Sequence, residues 1–380
     1  MPLGTLGLSA WLALAPAVIG ASFTNPIGPG NDPWVIRWKD AYYLVATGVG
    51  KRGVHVAKAA KLQDLARAPK TVVWTPPDTG MWSKEQWAPE LHYLDGKWYI
   101  YVAADDGSND NHRIYVLEGQ SQDPQGAFTF KGKLAVASDR WAIDASILTL
   151  KGKHYLIWSG WEGAVNGAQN IYIAAMANPW TLTGNRALVS RPDYAWEKRG
   201  GPPSVNEGPE ALYHGDDVFL VYSGAASWTD YYCLGMLRLV GDDPMDSAAW
   251  SKYAKPVFSP TETVFGPGHC SFVKSPDGTE DWIVYHAAVT SGSGWTRNLR
   301  IQKFAWDKLG VPDFGIPVDE GVDLEEPSYR GAPVRSRARP APGPLGASLR
   351  AFPSQPLLLA PEGEDALGRA ASPAVFSPLP

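Results

Sequence analysis

The 380-residue sequence is poor in cysteine and in clustered positive charge. Its two cysteines, Cys233 and Cys270, are too few for a disulfide scaffold or a zinc ligand set, and the sequence leaves open whether they pair. No long basic run occurs in the first 330 residues and the net charge is −5, which argues against a nucleic-acid partner. A long amphipathic helical pattern is also missing, which argues against a helix-dominated fold.

Both ends of the chain differ in composition from its middle. An apolar run over residues 3–23, interrupted by Pro16 and ending in small residues, predicts a secretory signal peptide over residues 1–21 and a secreted, extracellular protein. An uncleaved membrane anchor is the alternative, but Pro16 and the short run argue against it. Residues 331–380 hold 10 of the 33 prolines and no Trp or Tyr, a composition that predicts a disordered tail.

The region between residues 22 and 330 contains an internal repeat. An aromatic and β-branched run follows a turn signal five times, at residues 42–46, 98–102, 154–158, 218–222 and 282–286. A turn followed by such a run is typical of the second strand of a hairpin, and further strand patterns follow it. Five such units at this period predict an all-β fold, a five-bladed β-propeller over residues 22–330. Two tandem β-sandwiches are the alternative, but they would not produce five equivalent strands.

The segment before each repeated run is expected to form the innermost strand of its blade, with its start close to the propeller axis. A polar or ionisable side chain recurs in four of these segments, 10 to 13 residues before the run: Asp32, Asp144, Glu207 and His269. Taken singly, each carboxyl fits a turn or a structural role. Taken together they predict one axial pocket for acid–base chemistry, because crowded carboxyls repel one another unless their protonation is tuned.

These motifs, in this order over residues 24–325, resemble the family 43 glycoside hydrolases. The motifs are Asn-Asp-Pro at 31–33, Trp-Ala-Pro-Glu at 87–90, Ile-Asp-Ala-Ser at 143–146, Asn-Glu-Gly-Pro at 206–209, Gly-His at 268–269 and the run 296–302. That family consists of five-bladed propellers acting on arabinose- and xylose-containing plant polysaccharides. The resemblance implies that Asp32 is the general base, that Asp144 tunes the pKa of the acid and orients it, and that Glu207 is the general acid.

The chemistry of an inverting glycosidase fits this assignment. Such an enzyme needs an acid to protonate the leaving oxygen and a base to activate water. Glu207 must then stay protonated near the working pH, and a charged Asp144 beside it is expected to raise its pKa by like-charge repulsion. A third carboxyl therefore has a physical role in the predicted site.

The resemblance also implies contacts beyond the carboxyls. Arg297, or less closely Arg300, resembles an arginine that contacts the sugar in the reactive subsite, and Trp87 is expected to bind substrate as well. His269 resembles an axial histidine that in many members helps to bind calcium or another ion, so we expect it to contact substrate or a structural ion. No cofactor is expected for the chemistry. The expected partner is an arabinose-containing polysaccharide or oligosaccharide, bound by a monomer without nucleic acid or membrane.

Specificity is predicted from two stretches. Residues 87–92 and 297–302 most resemble exo-acting α-L-arabinofuranosidases, so the expected reaction is release of α-L-arabinofuranosyl residues from arabinan or arabinoxylan with inversion. β-Xylosidase and endo-arabinanase stay open, because the loops around the pocket decide between them. A retaining fructan hydrolase is disfavoured because the residues around Asp32 and Asp144 differ from its motifs. A non-catalytic carbohydrate-binding propeller is disfavoured because all three carboxyls are present.

Overall fold

The computed structural model describes residues 21–48 and 52–329. The expected signal peptide, apart from its last residue, and the expected tail at 331–380 lie outside the described residues. Within them the helices are short 3-10 turns, at Leu62–Arg67, Asn109–Asn111, Ala195–Lys198 and Ser247–Ala249. None of the helices in the described part of the chain has the length and hydropathy needed to cross a membrane.

The remaining regular structure consists of strands. Two short N-terminal strands come first, β1 (Ser22–Thr24) and β2 (Gly28–Pro29). Blade 1 contains β3 (Asn31–Trp38), β4 (Ala41–Thr47), β5 (Val54–Ala59) and β6 (Lys70–Trp74). Blade 2 contains β7 (Lys84–Leu94), β8 (Lys97–Asp105), β9 (Arg113–Gly119) and β10 (Phe128–Leu134). Blade 3 contains β11 (Ala142–Leu150), β12 (Lys153–Trp161), β13 (Gln169–Asn178) and β14 (Thr181–Ser190).

The last two blades complete the chain order. Blade 4 contains β15 (Asn206–His214), β16 (Asp217–Gly224), β17 (Cys233–Leu239) and β18 (Trp250–Lys252). Blade 5 contains β19 (Phe265–Lys274), β20 (Asp281–Ala288) and β21 (Arg297–Trp306), followed by the short strands β22 (Pro312–Asp313) and β23 (Asp323–Glu325). In each of the five sheets, strands that follow one another in the chain lie side by side and pair antiparallel.

The five sheets are the blades of one closed ring. Their inner strands β3, β7, β11, β15 and β19 contact one another in that order, and β19 also contacts β3. Side chains join the blades at this level: the Val35 N–H on β3 donates to Ser271 Oγ on β19 (3.2 Å), and Ser146 on β11 donates to Glu210 on β15 (3.1 Å). The predicted five-bladed β-propeller is therefore confirmed, and the tandem β-sandwich alternative is wrong.

The repeated aromatic runs lie where the pattern predicts, within the second strand of each blade: β4, β8, β12, β16 and β20. Because successive side chains of a strand point to opposite faces, these runs fill the spaces between neighbouring blades. Trp98 is fully buried between blades 1 and 2 beside Trp34 and Tyr43, and Tyr285 is fully buried between blades 4 and 5. The core is thus a series of apolar layers around the axis.

The N-terminal segment completes blade 5. Strand β2 pairs with β21, where Gly28 faces Leu299 and Pro29 faces Asn298. The buried Asn25 side chain reinforces this contact, since its amide donates to the Ile301 carbonyl (2.8 Å) and accepts from the Ile301 N–H (3.0 Å). The outer strand of the last blade therefore comes from the start of the chain, which joins the two ends of the ring within one sheet.

Candidate active site

One backbone feature recurs in the inner strand of every blade, namely an extra residue that forms a β-bulge. One residue at each bulge has a positive φ, between 41° and 54°: Asp32, Ala88, Asp144, Gly208 and His269. Positive φ is unfavourable for residues other than glycine, and such conformations persist where the surrounding structure enforces them. The bulges therefore hold the predicted site residues at one level of the ring.

The bulges show which site residues occupy equivalent positions in their blades, although their distances from the next strand differ in the sequence. His269 occupies the same bulge position as Asp32, and its larger distance from the next strand comes from the longer loop between β19 and β20. Glu207 lies one residue before its bulge position, which belongs to Gly208. A Cβ atom at residue 208 would lie 3.1 Å from the His269 ring, so the close approach of the two strands favours glycine there.

Asp32 lies among nitrogen atoms contributed by blade 5. Its Oδ1 is 3.3 Å from His269 Nδ1, 3.4 Å from His286 Nδ1 and 3.8 Å from Arg297 Nη1. Asp32 is half-buried, with 18% of its side-chain surface accessible, whereas Asp144 and Glu207 are buried. Asp32 is thus the carboxyl that solvent water reaches most easily, and it has a guanidinium and two imidazole rings beside it.

Glu207 is a buried carboxyl held by hydroxyl groups. Its Oε1 accepts a hydrogen bond from the Tyr232 hydroxyl (2.8 Å), and the Ser227 hydroxyl also bonds to the carboxyl. Burial raises the pKa of Glu207 to about 7; the hydroxyl of Tyr232 and the charge of Arg297 oppose this rise, and the charge of Asp32 adds to it. Near neutral pH a large fraction of Glu207 is therefore protonated, as a proton donor requires.

Asp144 contacts the strand that carries Glu207. Its Oδ2 accepts a hydrogen bond from the Gly208 N–H (3.0 Å), which fixes the backbone next to Glu207. Burial raises the pKa of Asp144 well above its usual value, and the charges of Glu207 and Asp32 raise it further. The sequence led us to expect that Asp144 raises the pKa of Glu207; in the structure burial is the main cause of that rise, with Asp32 as the contributing charge.

Arg297 joins both sides of the pocket. Its guanidinium lies 2.8 Å from His286 Nε2, bonds to the Ser227 carbonyl and stands over the Tyr232 ring at 5.4 Å. His286 in turn accepts the Asp32 backbone N–H at Nδ1 (2.9 Å), and burial lowers its pKa well below the usual value. A neutral imidazole and a cation thus connect the surroundings of Asp32 with the loop that contacts Glu207.

Comparisons with known proteins identify this arrangement. The family model "Glycosyl hydrolases family 43" matches residues 23–312. This chain belongs to glycosyl hydrolase family 43.

Individual members of family 43 are similar over most of the chain. An extracellular exo-α-(1→5)-L-arabinofuranosidase of Streptomyces avermitilis is 39% identical over 84% of this chain and 68% of its own length. Alpha-L-arabinofuranosidase 43 of Humicola insolens is 37% identical over 76% of this chain, which spans 62% of that relative. The crystal structure of an α-L-arabinofuranosidase from Lactobacillus brevis has a TM-score of 0.74 at 34% identity, covering 79% of this chain and 98% of that one.

Of the two other residues predicted to contact substrate in this family 43 chain, Trp87 lies near the carboxyls and Arg300 does not. Trp87 stands one residue before the blade 2 bulge, half-buried, with its ring stacked on His112 at 3.9 Å and packed near Trp141 and Trp161. It therefore borders the same level of the ring as the carboxyls. Arg300 does not, since its guanidinium donates to the Val318 carbonyl (2.9 Å), away from the carboxyls. Of the two arginines, only Arg297 contacts Asp32.

The predicted ion ligand His269 has few potential partners for a cation. Among the described residues, no group of three or more His, Cys, Asp or Glu side chains has an arrangement that could hold a metal ion. Within residues 21–48 and 52–329, Asp32 is the one carboxylate within ion-pair distance of the His269 ring, and the Arg297 guanidinium adds positive charge beside it. These residues do not fit a metal centre built from protein ligands, and we derive no catalytic step through one.

A second group of polar side chains lies one layer deeper along the inner strands, at the first paired residue that follows the bulge. Glu90 on β7, Ser146 on β11 and Glu210 on β15 are mutually hydrogen-bonded there. His92 bonds to Glu90 Oε2 (2.8 Å). Desolvation raises the pKa of Glu210 to about 8 and that of Glu90 well above its usual value, so the two carboxyls hold at least one proton near neutral pH.

The sequence reasoning missed several residues of the site. Tyr232 and Ser227, which hold Glu207, lie in the loop between β16 and β17, and His286 lies on β20. None of them belongs to an inner strand, and the repeated pattern points only to inner strands. His286 was detectable as the end of the fifth aromatic run, at the position that pairs with Gly268. Cys233 and Cys270, whose pairing the sequence left open, are both free and buried.

The arrangement can perform acid–base hydrolysis. It combines a solvent-reached carboxylate at Asp32, a buried carboxyl with a raised pKa at Glu207, and a cationic guanidinium between them. The two carboxyls come from blades 1 and 4, which are not neighbours in the ring. A sugar bound between them would expose its leaving oxygen to Glu207 and its opposite face to water near Asp32.

Proposed function

We propose that this family 43 glycoside hydrolase releases α-L-arabinofuranosyl residues from arabinan or arabinoxylan with inversion of the anomeric configuration. The names of the relatives support the sugar: three of them, two from Streptomyces and one from Humicola insolens, are α-L-arabinofuranosidases at 37–39% identity. The two Streptomyces relatives are named extracellular enzymes, which supports secretion of this chain. We further propose that it acts as a monomer on arabinose-containing poly- or oligosaccharides.

One observation carries the mechanism: two carboxyls with different surroundings share one pocket. Glu207 is buried, bonded to Tyr232 and has a pKa raised to about 7, so it can hold a proton. Asp32 is the most accessible of the three carboxyls and lies beside the Arg297 guanidinium and the rings of His269 and His286. Environments that separate two carboxyls in this way distinguish an acid from a base.

The reaction then follows from the geometry. Glu207 donates its proton to the glycosidic oxygen as the bond from that oxygen to the anomeric carbon breaks. Asp32 removes a proton from a water molecule, whose oxygen attacks the anomeric carbon from the opposite face. Arg297 provides positive charge beside Asp32, and Asp144 holds the Gly208 N–H so that Glu207 keeps its position. The products are free arabinose and a shortened saccharide with a hydroxyl at the leaving oxygen.

Inversion is tested by the configuration of the first product. Proton NMR during the first minutes of hydrolysis of an α-1,5-linked arabino-oligosaccharide should show β-arabinofuranose, before mutarotation mixes the anomers. A base that acts through water needs a separation of about 6.5–9.5 Å from the acid, rather than the roughly 5–5.5 Å of a covalent mechanism. Initial α-arabinofuranose would instead mean retention, with Asp32 as a nucleophile.

The sugar specificity is tested with a substrate panel. Arabinan, arabinoxylan and xylo-oligosaccharides are incubated separately with the enzyme, and the released monosaccharides are separated by chromatography. We expect arabinose from the first two and no xylose from the third. Xylose as the main product would indicate a β-xylosidase, and arabino-oligosaccharides without free arabinose would indicate an endo-arabinanase.

A further inference from the structure

Two tryptophans border the pocket on the side of Glu207. Trp295 lies in the loop between β20 and β21, with 52% of its surface exposed, and Trp228 lies in the loop between β16 and β17. Their rings meet edge to face, with centroids 6.1 Å apart. Because the strands alternate in direction, both loops lie at the end of the propeller where β15 and β19 begin, which is the end that carries Glu207 and His269.

Ser227 connects this aromatic pair to the catalytic carboxyl. The Trp295 indole Nε1 donates to Ser227 Oγ (3.3 Å), and the same hydroxyl bonds to Glu207. The Ser227 carbonyl accepts a hydrogen bond from Arg297. The Trp295 ring is therefore separated from the proton donor by one hydroxyl group.

The Trp295 loop is held in place by polar contacts. The Asp230 carboxylate accepts hydrogen bonds from the Ser291 hydroxyl and from the Gly292 N–H (2.9 Å). At the other end of the loop, the Trp295 carbonyl accepts a hydrogen bond from the Asn31 side-chain amide (3.1 Å) when the oxygen and nitrogen of that amide are placed to satisfy their neighbours. An exposed aromatic ring on a fixed loop is a pre-organised binding surface, because little side-chain freedom is lost when a ligand packs on it.

The chemistry of the reaction assigns a ligand to this surface. A general acid must lie against the glycosidic oxygen, and that oxygen belongs to the leaving saccharide after cleavage. The side of the pocket next to Glu207 therefore receives the leaving sugar. The C–H groups of a sugar ring carry partial positive charge and suit the negative face of an indole ring.

We propose that Trp295, backed by Trp228, is the platform on which the first sugar of the leaving group stacks. This proposal rests on the proposed function, because it takes Glu207 as the proton donor. It makes Trp295 a specificity-determining residue: substrates with a sugar as leaving group gain a contact that substrates with a small alkyl leaving group lack.

Two substrates separate stacking from catalysis. α-1,5-Linked arabinobiose places a sugar on the platform, whereas methyl α-L-arabinofuranoside has no ring there but still needs a proton from Glu207. Trp295→Ala should lower kcat/KM for arabinobiose about tenfold, mainly through KM, since aromatic contacts are worth roughly that factor. The same variant should change kcat/KM for the methyl glycoside by less than about twofold.

Three further variants identify the cause. Trp295→Phe keeps a ring and loses the indole N–H, so it should retain most of the arabinobiose activity. Trp295→Gln keeps an N–H and loses the ring, so it should behave like Trp295→Ala. Trp180→Ala is the matched control, because Trp180 is also exposed (37%) but lies in the β13–β14 turn at the opposite end of the propeller. It should leave both substrates unaffected.

Each other outcome overturns the proposal. An equal loss on both substrates would mean that Trp295 acts through Ser227 and Glu207 rather than through the leaving sugar. Full arabinobiose activity in both Trp295→Ala and Trp295→Gln would show that no sugar packs on the ring. If the unaltered enzyme cleaved neither substrate, the proposed function itself would fail, a result that is recognisable without any variant.

Discussion

Glu207 and Glu210 stand three residues apart on β15, and desolvation raises the pKa of both, to about 7 and about 8. Their partners differ. Glu207 receives hydroxyl groups from the loop between β16 and β17 and faces the pocket that holds Asp32. Glu210 bonds to Ser146 and Glu90, which belong to the inner strands of blades 3 and 2. The same strand and the same physical cause thus produce one proton donor and one structural carboxyl.

The comparison shows that a raised pKa alone does not identify a catalytic residue. What distinguishes Glu207 is its surroundings, because the Tyr232 hydroxyl from the loop between β16 and β17 bonds to it and the charges of Asp32 and Arg297 act on it. Glu210 lies one layer deeper, where its neighbours come from the inner strands themselves. The following experiments test this distinction, from the largest expected effect to the smallest.

The largest contrast is expected between Glu207→Ala and Glu210→Gln. Loss of a positioned acid typically costs about 10²–10⁴-fold in rate, so Glu207→Ala should reduce kcat/KM for arabino-oligosaccharides by that factor. It should reduce hydrolysis of an activated aryl arabinofuranoside much less, because that leaving group departs without protonation. Glu210→Gln should change both by less than about tenfold. Equal damage to both substrate classes by Glu207→Ala would remove it from the acid role.

Asp32→Ala should differ from Glu207→Ala in its dependence on the leaving group. Water must be activated whatever group leaves, so the loss of about 10²–10⁴-fold should be the same for oligosaccharides and aryl glycosides. Steady-state kinetics on the two substrates, with melting temperatures to verify folding, measure this. A loss confined to oligosaccharides would make Asp32 part of the acid function instead.

The pH dependence of activity should report Glu207 and not Glu210. The acid acts in its protonated form, and its pKa is raised to about 7, so kcat/KM for arabino-oligosaccharides should fall tenfold per pH unit above about pH 7. Glu210→Gln should leave this alkaline limb in place. If the limb moved or disappeared in Glu210→Gln, the deeper carboxyl would be part of the catalytic proton transfer.

The pH dependence of stability, unlike that of activity, should report Glu210. The folded-state pKa of Glu210, about 8, exceeds its usual value of 4.5, so its contribution to stability is fully present below about pH 4.5 and is lost as pH rises through about 8. Urea unfolding should therefore show a loss between pH 5 and pH 8 that is smaller in Glu210→Gln, by on the order of 1–3 kcal/mol. The same loss in both proteins would show that Glu210 titrates normally.

The smallest effect is expected from thiol reagents. Cys270 lies beside the deeper group, is buried, and burial raises the pKa of its thiol well above the usual value, with Glu210 and Glu90 adding to the rise. Native enzyme treated with iodoacetamide at pH 8 should keep this cysteine unmodified by mass spectrometry, and urea should expose it. Rapid alkylation of Cys270 in the native state would mean that the deeper layer is as open as the catalytic one.

Much of the fold could be predicted because it is periodic. The turn signals and aromatic runs repeat five times, and a run that is apolar on both faces indicates a strand packed between neighbours, as at Trp98 and Tyr285. The inner strands followed from the same period, which placed Asp32, Asp144 and Glu207 near the axis. Residues whose role depends on local sequence pattern were therefore accessible to sequence reasoning.

The sequence by itself determined the five repeats, the inner strands and the set of carboxyls at their starts. Only the tertiary structure decided how those groups divide their work. The contacts of Glu207 with Tyr232, of Asp32 with His286, and of Glu210 with Glu90 join residues 25, 254 and 120 positions apart in the chain. The physical reason is that protonation depends on burial and neighbouring charge. Both are properties of residues brought together when the ring closes, and no local pattern encodes them.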